Sequence, residues 1–439
     1  MKDIVRAVLV LMAFFGGSFN SYAQFRDGMF EYLVRDILHP DEVSVRVIPE
    51  MKDEIEEIEI PARVEFEGEE YTVVEVAAEG FASCKNLRDI ILPETLLSIG
   101  NSAFRRCEKL EKVNFPESLI KIEDKAFSTC RSLTSAILPA SLRSIGDVAF
   151  CLCDNLTNVV LPDMCRHIGN HAFSDCRSIK KLRLPGALET IGLSVFMGCS
   201  GMERIELPPN LKMIDQNAFW SCTSLNELEI PASVDSIGST AFAECWSLSD
   251  IRMEEDNPHY CVVDGMLLSK DKETLLAYPS ALEITTPEYV REIGVASFAL
   301  SALRRITITP NIEKIQGTAF LSCMSLESIV CLSPQPPEIA YPGAFLKDEG
   351  YMPLNCTVYV PEEALETYRG AMGWGWQKIV ANTALGLQEA LDKDEKAVTV
   401  YTLDGTLLIV GGRSEDLYAL PRGSYIVRDA KGNSRKVVK

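Results

Sequence analysis

After its first 23 residues the chain has no run of 18 consecutive apolar residues, so no later segment reads as a transmembrane helix. Histidine is scarce, and the four present (His39, His167, His171 and His259) form no cluster. No H-E-x-x-H or G-x-S-x-G occurs and no glycine-rich phosphate loop follows a strand, so no zinc hydrolase, serine hydrolase or nucleotide-binding signature is written here. No metal or other cofactor is expected. Cations are also short: 43 Lys and Arg against 63 Asp and Glu leave a formal charge of -20. Such a surface repels phosphate backbones, which argues against nucleic acid as a partner.

Phenylalanine and cysteine, by contrast, recur in phase. Phe81, Phe104, Phe127, Phe150, Phe173, Phe196, Phe219 and Phe242 are spaced at 23 residues without a slip. Each has a cysteine three residues later, from Cys84 to Cys245, and an aliphatic residue six later, from Leu87 to Leu248. Pro93 and its successors to Pro231 stand twelve after the first seven, and Val76 or an Ile stands five before each Phe. The register returns at Phe298 and at Phe320, the latter again with Cys323. A period of this length carrying L-x-x-I-x-L reads as a mainly β solenoid of leucine-rich repeats, each repeat one coil with short parallel strands. The I-x-L end of that motif alternates as a strand with one buried face, and Pro stops it. The following I-G-x-x-AF-x-x-C gives a second short strand, a turn in which Gly permits positive φ, and a Phe filling the coil centre. Stacked Phe rings make the core, and replacing an inner one by Ala is expected to cost about 3–5 kcal/mol.

The unit L-x-x-I-x-LP-x-x-L-x-x-IG-x-x-AF-x-x-C resembles the BspA-like leucine-rich repeat proteins, which are surface or secreted proteins of host-associated bacteria and some protozoa. Two further segments are similar to parts of that family: Asn257 to Pro279, like its elaborated coil, and Thr357 to Ile379, like its last turn. The resemblance implies the solenoid fold, export and binding by surface complementarity; it implies no reaction.

The pattern divides the chain. Lys2 and Arg6, an apolar run from Ala7 to Phe15 and a small-residue site after Ala23 make residues 1–23 a cleaved secretory signal, giving an exported, secreted or surface-located product. Residues 24–75 lack the Phe-Cys unit and read as a strand-rich cap. The solenoid occupies 76–380, with an elaborated coil at 254–287, where Asp264-Gly265 signals a hairpin and Leu275 to Tyr278 a further strand. Residues 381–439 read as a small antiparallel β domain joined at Asp404-Gly405, Arg422-Gly423 and Lys431-Gly432. In V-Y-x-L-D-G, L-P-x-G-x-Y-I-V and the terminal K-V-V it resembles a bacterial surface-sorting tail.

Fourteen cysteines in an exported chain raise the question of disulfides. Nine of them lie on one ladder, where stacked side chains point the same way, and a bridge needs Cβ atoms about 3.8 Å apart against a rung spacing of about 4.8 Å. Ser301 also takes the cysteine's place after Phe298, so small buried thiols are expected. Cys331 and Cys356 lie off the ladder, and their redox state is left open. His167 and His171 have the spacing of a helical metal pair but fall on a turn, where that geometry does not apply. Trp374 and Trp376 admit a sugar-stacking platform or a cover on the last coil, and their place in the terminal turn favours the cover.

The outward positions of the strand lie eight and ten residues after each Phe. They bring apolar Ile91, Ile137 and Val160 to the early coils and basic Lys181, Arg183 and Arg204 to mid-array. An apolar patch beside charge of the minority sign suits a protein-docking surface, although Ile and Val favour strands without any partner. The function expected is non-enzymatic protein binding or adhesion, with host surface or matrix proteins as possible targets. Two alternatives stand beside it: a glycan-binding accessory protein, or an enzyme with its site in the 254–287 insertion.

Overall fold

The computed structural model describes residues 24–35, 38–340, 342–346, 354–375 and 377–382, and four strands within 398–438. The expected signal, residues 1–23, lies outside the described residues. The chain forms two compact units: one runs to Asp271 and includes Ala277–Ser280, the other comprises Lys272–Leu276 and everything from Ala281.

In the first unit each coil has three walls. The long-strand wall is built from segments such as Asp89–Ile91, Ser135–Ile137, Lys181–Arg183 and Arg204–Glu206, in which the middle residue is buried and its neighbours face outward. Pairing is parallel at an offset of 23 residues: Asp89 lies opposite Lys112, Ser135 opposite Asn158, Lys181 opposite Arg204. The short-strand wall consists of two-residue strands, Ser98–Ile99, Lys121–Ile122, Ser144–Ile145 and His167–Ile168, again parallel, with each Ile in the core. The N-terminal strands join both walls. Glu69–Val76 pairs in parallel with Ser98–Ile99, and Glu57–Glu59 with Asp89–Ile91, so the ladders begin where no Phe-Cys unit marks them. Glu31 is buried there between Arg26 and Arg46, and the desolvation that would raise its pKa is outweighed by those two guanidiniums, which hold it below its ordinary value.

The third wall is the A-F-x-x-C turn. Its N–H groups bond forward to the next coil: Phe104 to the Ala126 carbonyl at 2.7 Å, Phe127 to Ala149 at 2.7 Å. Positive φ falls here on residues two before and two after most of the Phe residues, nearly all of them non-glycine, such as Lys125 (57°) and Thr129 (66°) around Phe127. The glycine after the Ile is not left-handed, contrary to the sequence expectation. A Cβ on Gly169 would stand 2.4 Å from the Asp147 nitrogen, and one on Gly100 2.6 Å from the Val76 carbonyl oxygen, so glycine is required there by the approach of the preceding coil.

Within the walls the phenyl rings stack nearly parallel, with centroids 5.1 to 5.3 Å apart from Phe81 through Phe173. The hairpin of the insertion forms as the Asp-Gly signal predicts, Tyr260–Val263 antiparallel to Met266–Ser269 with φ of 50° at Asp264 and 78° at Gly265. Asn257 fastens it, donating to the Val234 carbonyl at 2.9 Å and accepting from the Tyr260 N–H at 2.8 Å.

The second unit repeats this plan. Glu283–Thr285, Arg305–Ile308, Ser328–Cys331, Thr357–Val360 and Lys378–Ala381 make one parallel sheet, and Phe298, Phe320 and Phe345 stack at 5.4 and 5.3 Å. Trp374 is fully buried against Phe345 and donates its indole N–H to the Pro337 carbonyl at 2.9 Å, so it covers the core and offers no face to a sugar; Trp376 lies outside the described residues. Val398–Thr402, Leu407–Gly412, Ser424–Arg428 and Ser434–Val438 form a four-stranded antiparallel sheet. The dipeptides expected to join its strands lie outside the described residues.

Candidate partner-binding face

The long-strand wall presents the residues singled out by the sequence. Ile91, Ile137 and Val160 are 50%, 57% and 47% exposed, and Lys181, Arg183 and Arg204 are also exposed. The geometry sorts them. Ile137 and Val160 sit directly opposite each other on adjacent rungs, whereas Ile91 is set apart by Asn114. The Asn114 amide accepts from the Leu92 N–H at 2.6 Å and donates to the Leu92 carbonyl at 2.9 Å, supplying with a side chain the pairing that the two-residue strand Lys112–Val113 lacks.

Lys181 and Arg204 are likewise opposite each other, but the basic cluster is partly neutralised. Arg183 pairs with Asp163 at 2.9 Å and holds that exposed carboxyl below its usual range, and Arg204 reaches Glu227 at 3.4 Å. Among the described residues Lys181 makes no ion pair. The face therefore offers an Ile137–Val160 apolar pair, then Lys181 as its available cation on the following coil.

Between those two groups the ladder is interrupted, which sequence reasoning missed. Asn158–Val160 and Lys181–Arg183 are not hydrogen-bonded to each other, and neither are His167–Ile168 and Thr190–Ile191 on the short-strand wall. The turn wall continues through the junction, with the Phe173 N–H on the Val195 carbonyl at 3.0 Å, while the ring spacing opens from 5.3 Å at Phe150–Phe173 to 5.9 Å at Phe173–Phe196. Asp163 bridges the corner: its carbonyl accepts from Ala187 N–H at 3.0 Å and its carboxylate from Gly186 N–H at 3.4 Å. A signal was available. Thr95, Ser118, Ser141 and Ser233 each donate a hydroxyl to the preceding coil, and the equivalent residues here are Met164 and Ala187.

The thiols are arranged for packing. All fourteen cysteines are free, and the ladder thiols from Cys107 to Cys245 and Cys323 donate to the Phe carbonyl of the preceding coil, Cys107 to Phe81 at 3.0 Å, Cys176 to Phe150 at 3.1 Å. Burial pushes the Cys199 and Cys245 thiols up to about 12 and Cys323 to about 11, which disfavours the thiolate a nucleophile or metal ligand needs. Cys331 and Cys356 do not face each other. Thr357 is opposite Ser328, so Cys356 precedes the rung while Cys331 ends it. His167 lies in a short strand and His171 on the turn wall at φ 55°; among the described residues no three His, Cys, Asp or Glu converge as a metal site.

Two strand walls, a Phe-stacked core and a 23-residue register define a leucine-rich repeat solenoid. The chain belongs to the BspA-type leucine-rich repeat family: residues 74–203, 167–260 and 273–345 match the BspA type leucine rich repeat region in six copies. Its fold is similar to that of a leucine rich cell surface protein from Faecalibacterium prausnitzii, 22% identical over 85% of this chain and 99% of that one with a TM-score of 0.54. A leucine-rich repeat protein from Bacteroides ovatus is also 22% identical, over 82% of this chain and 99% of that one, with a TM-score of 0.51. No curated protein matches the sequence. No helix among the described residues is long and apolar enough to cross a membrane.

Proposed function

We propose that the protein is an exported, non-enzymatic solenoid that binds a protein partner through its long-strand wall. The observation that carries this reading is the exposed Ile137–Val160 pair beside the unpaired Lys181, which suits an apolar side chain flanked by an acidic one on the partner. Host surface or matrix proteins are the partners to try first. Residues 1–23 act as the export signal, 24–75 cap the solenoid of 76–380, and 381–439 serve as a sorting tail. The name of the Faecalibacterium prausnitzii relative, a cell surface protein, agrees with that location. In the 254–287 insertion the polar groups are engaged in holding the hairpin, Asn257 on Val234 and Lys270 on the Glu255 carbonyl at 2.8 Å, which favours binding over catalysis.

The test is a pull-down against host matrix and epithelial surface proteins, followed by affinity measurements on Ile137→Glu and Lys181→Glu for the partner found. Both are exposed, so both variants should melt like the parent. A ten-fold or larger loss of affinity in each supports the face. Unchanged affinity in both removes it.

A further inference from the structure

The interrupted junction has a second side. On the short-strand wall the ladder bonds recur from coil to coil: Arg143 N–H to the Ile120 carbonyl at 2.8 Å, Arg166 to Arg143 at 3.0 Å, Lys212 to Glu189 at 2.7 Å. Among the described residues the corresponding bond from Glu189 N–H to the Arg166 carbonyl is missing. The row beside it behaves alike. Gly169 N–H bonds the Ile145 carbonyl at 2.9 Å and Asp215 the Ile191 carbonyl at 2.9 Å, but Gly192 N–H makes no bond to Ile168. Two donors and two acceptors are thus left along the rim of one opening. The core beneath stays closed, since Ile168 and Ile191 are 4% and 1% exposed.

At that place lies a cleft of about 700 Å³, within the range of small-ligand sites. Its lining divides by charge, with Arg166 and His167 from one coil and Glu189 and Asp215 from the next two. Ile168 and Met213 add apolar surface, and no Phe, Tyr or Trp lines the cleft. Some cations of this unit have a carboxylate partner, as Arg131 has Asp154 and Arg183 has Asp163. Among the described residues Arg166, His167 and Glu189 make no ion pair. A phosphate-bearing ligand would meet the carboxylates, and a sugar would find no Phe, Tyr or Trp face to stack on. A ligand with an ammonium, a carboxylate and amide groups between them would satisfy both poles and the open backbone groups, as an added strand does at a sheet edge.

We propose that this cleft is a binding site for short linear peptides with free termini, held by main-chain hydrogen bonds to residues 166–168 and 189–192 and by terminal charges on Arg166 and Glu189. The site is distinct from the long-strand face and does not depend on it.

The experiment is equilibrium dialysis of the protein against a mixed library of unblocked tetrapeptides, read by mass spectrometry, beside the same library acetylated and amidated. Unblocked peptides should be retained at least ten-fold over capped ones, with hydrogen exchange slowed at residues 189–192. Arg166→Ala and Glu189→Ala, at exposed positions, should each lower retention ten-fold, and Asn210→Trp, which fills the cleft and leaves its charges, should abolish it. Ile137→Glu should change nothing, which separates this site from the long-strand face. Equal retention of capped and unblocked libraries, or retention indifferent to all three cleft variants, overturns the proposal.

Discussion

The Cys130 thiol donates to the Phe104 carbonyl at 3.1 Å, and the same carbonyl accepts the Cys107 N–H at 3.1 Å. The Phe carbonyls from Phe81 to Phe219 are thereby satisfied twice, once by their own coil and once by the next. The position thus requires a small side chain carrying a donor, and Ser301, which stands in the cysteine row 3.6 Å from the Cys323 sulfur, meets both conditions. We expect Cys130→Ser to leave stability within about 1 kcal/mol of the parent, since the donor is kept. Cys130→Val should lose about 1–3 kcal/mol by overpacking and by leaving the carbonyl one donor short. Urea midpoints of the two variants check this, and the reverse order would remove the hydrogen bond from the account.

The same burial sets a pH dependence. Cys199 and Cys245 are pushed up to about 12 in the folded chain, against about 8.5 for a free thiol. Between those values the unfolded state gives up protons that the folded state keeps. Stability is therefore complete below about pH 8.5 and falls as pH rises toward 12, by up to about 1.4 kcal/mol per pH unit for each such thiol. Urea titrations at pH 7, 9 and 10 should show the decline. The double variant Cys199→Ser/Cys245→Ser should lessen the decline, with the other buried thiols, Cys323 and Cys331 among them, keeping the rest, and an unchanged slope would show that these two thiols do not contribute to it.

The period was readable because every coil repeats the same burial: Phe150 meets the environment of Phe127, so the letters recur. Phe345 was missed because it lies 25 residues from Phe320, outside the strict count, although it stacks on that ring at 5.3 Å. The exposure of Ile137 and Val160 followed from alternation alone. Their pairing followed too, since Val160 stands 23 residues after Ile137 in the same outward row. The junction beyond Val160 was hidden, because whether two rungs bond is a relation between coils that the period does not record. Met164 and Ala187 are visible departures from the Ser/Thr row, but that the corner then closes on the Asp163 carbonyl is a geometric outcome with no letter of its own. Glycine misled because two causes write it alike: tolerance of positive φ, and closeness of another backbone.

Those two causes make opposite predictions. At Gly169 a Cβ would lie 2.4 Å from Asp147 nitrogen and 2.5 Å from the Gly146 carbonyl carbon, both backbone atoms that cannot swing aside. Gly169→Ala should therefore destabilise by about 1–3 kcal/mol or more. At Lys125 the backbone is left-handed with φ of 57°, so Lys125→Gly relieves strain, offset by the entropy glycine adds to the unfolded chain. That variant should be neutral or stabilising by up to about 1 kcal/mol. Thermal melts compare the pair directly. A tolerated Gly169→Ala together with a damaging Lys125→Gly would restore the original reading of the turn.

The parallel register gives the most general prediction. Lys121 lies opposite Ser144 and Ile122 opposite Ile145, an offset of 23 residues, so deleting Ile122 to Ser144 joins Lys121 to Ile145 with the phase kept. Phe104 then meets Phe150 as it met Phe127, and Cys153 can donate to the Phe104 carbonyl as Cys130 did. Because each coil touches only its neighbours, the stability lost should be that of one coil and one interface. Circular dichroism should keep its shape, and the urea m-value should fall slightly with the smaller buried surface. Deleting about half a period from Ile122 onward turns the buried Phe and Cys positions toward solvent and should abolish the cooperative transition. Equal damage from the two deletions would show that contacts beyond nearest neighbours hold the array together.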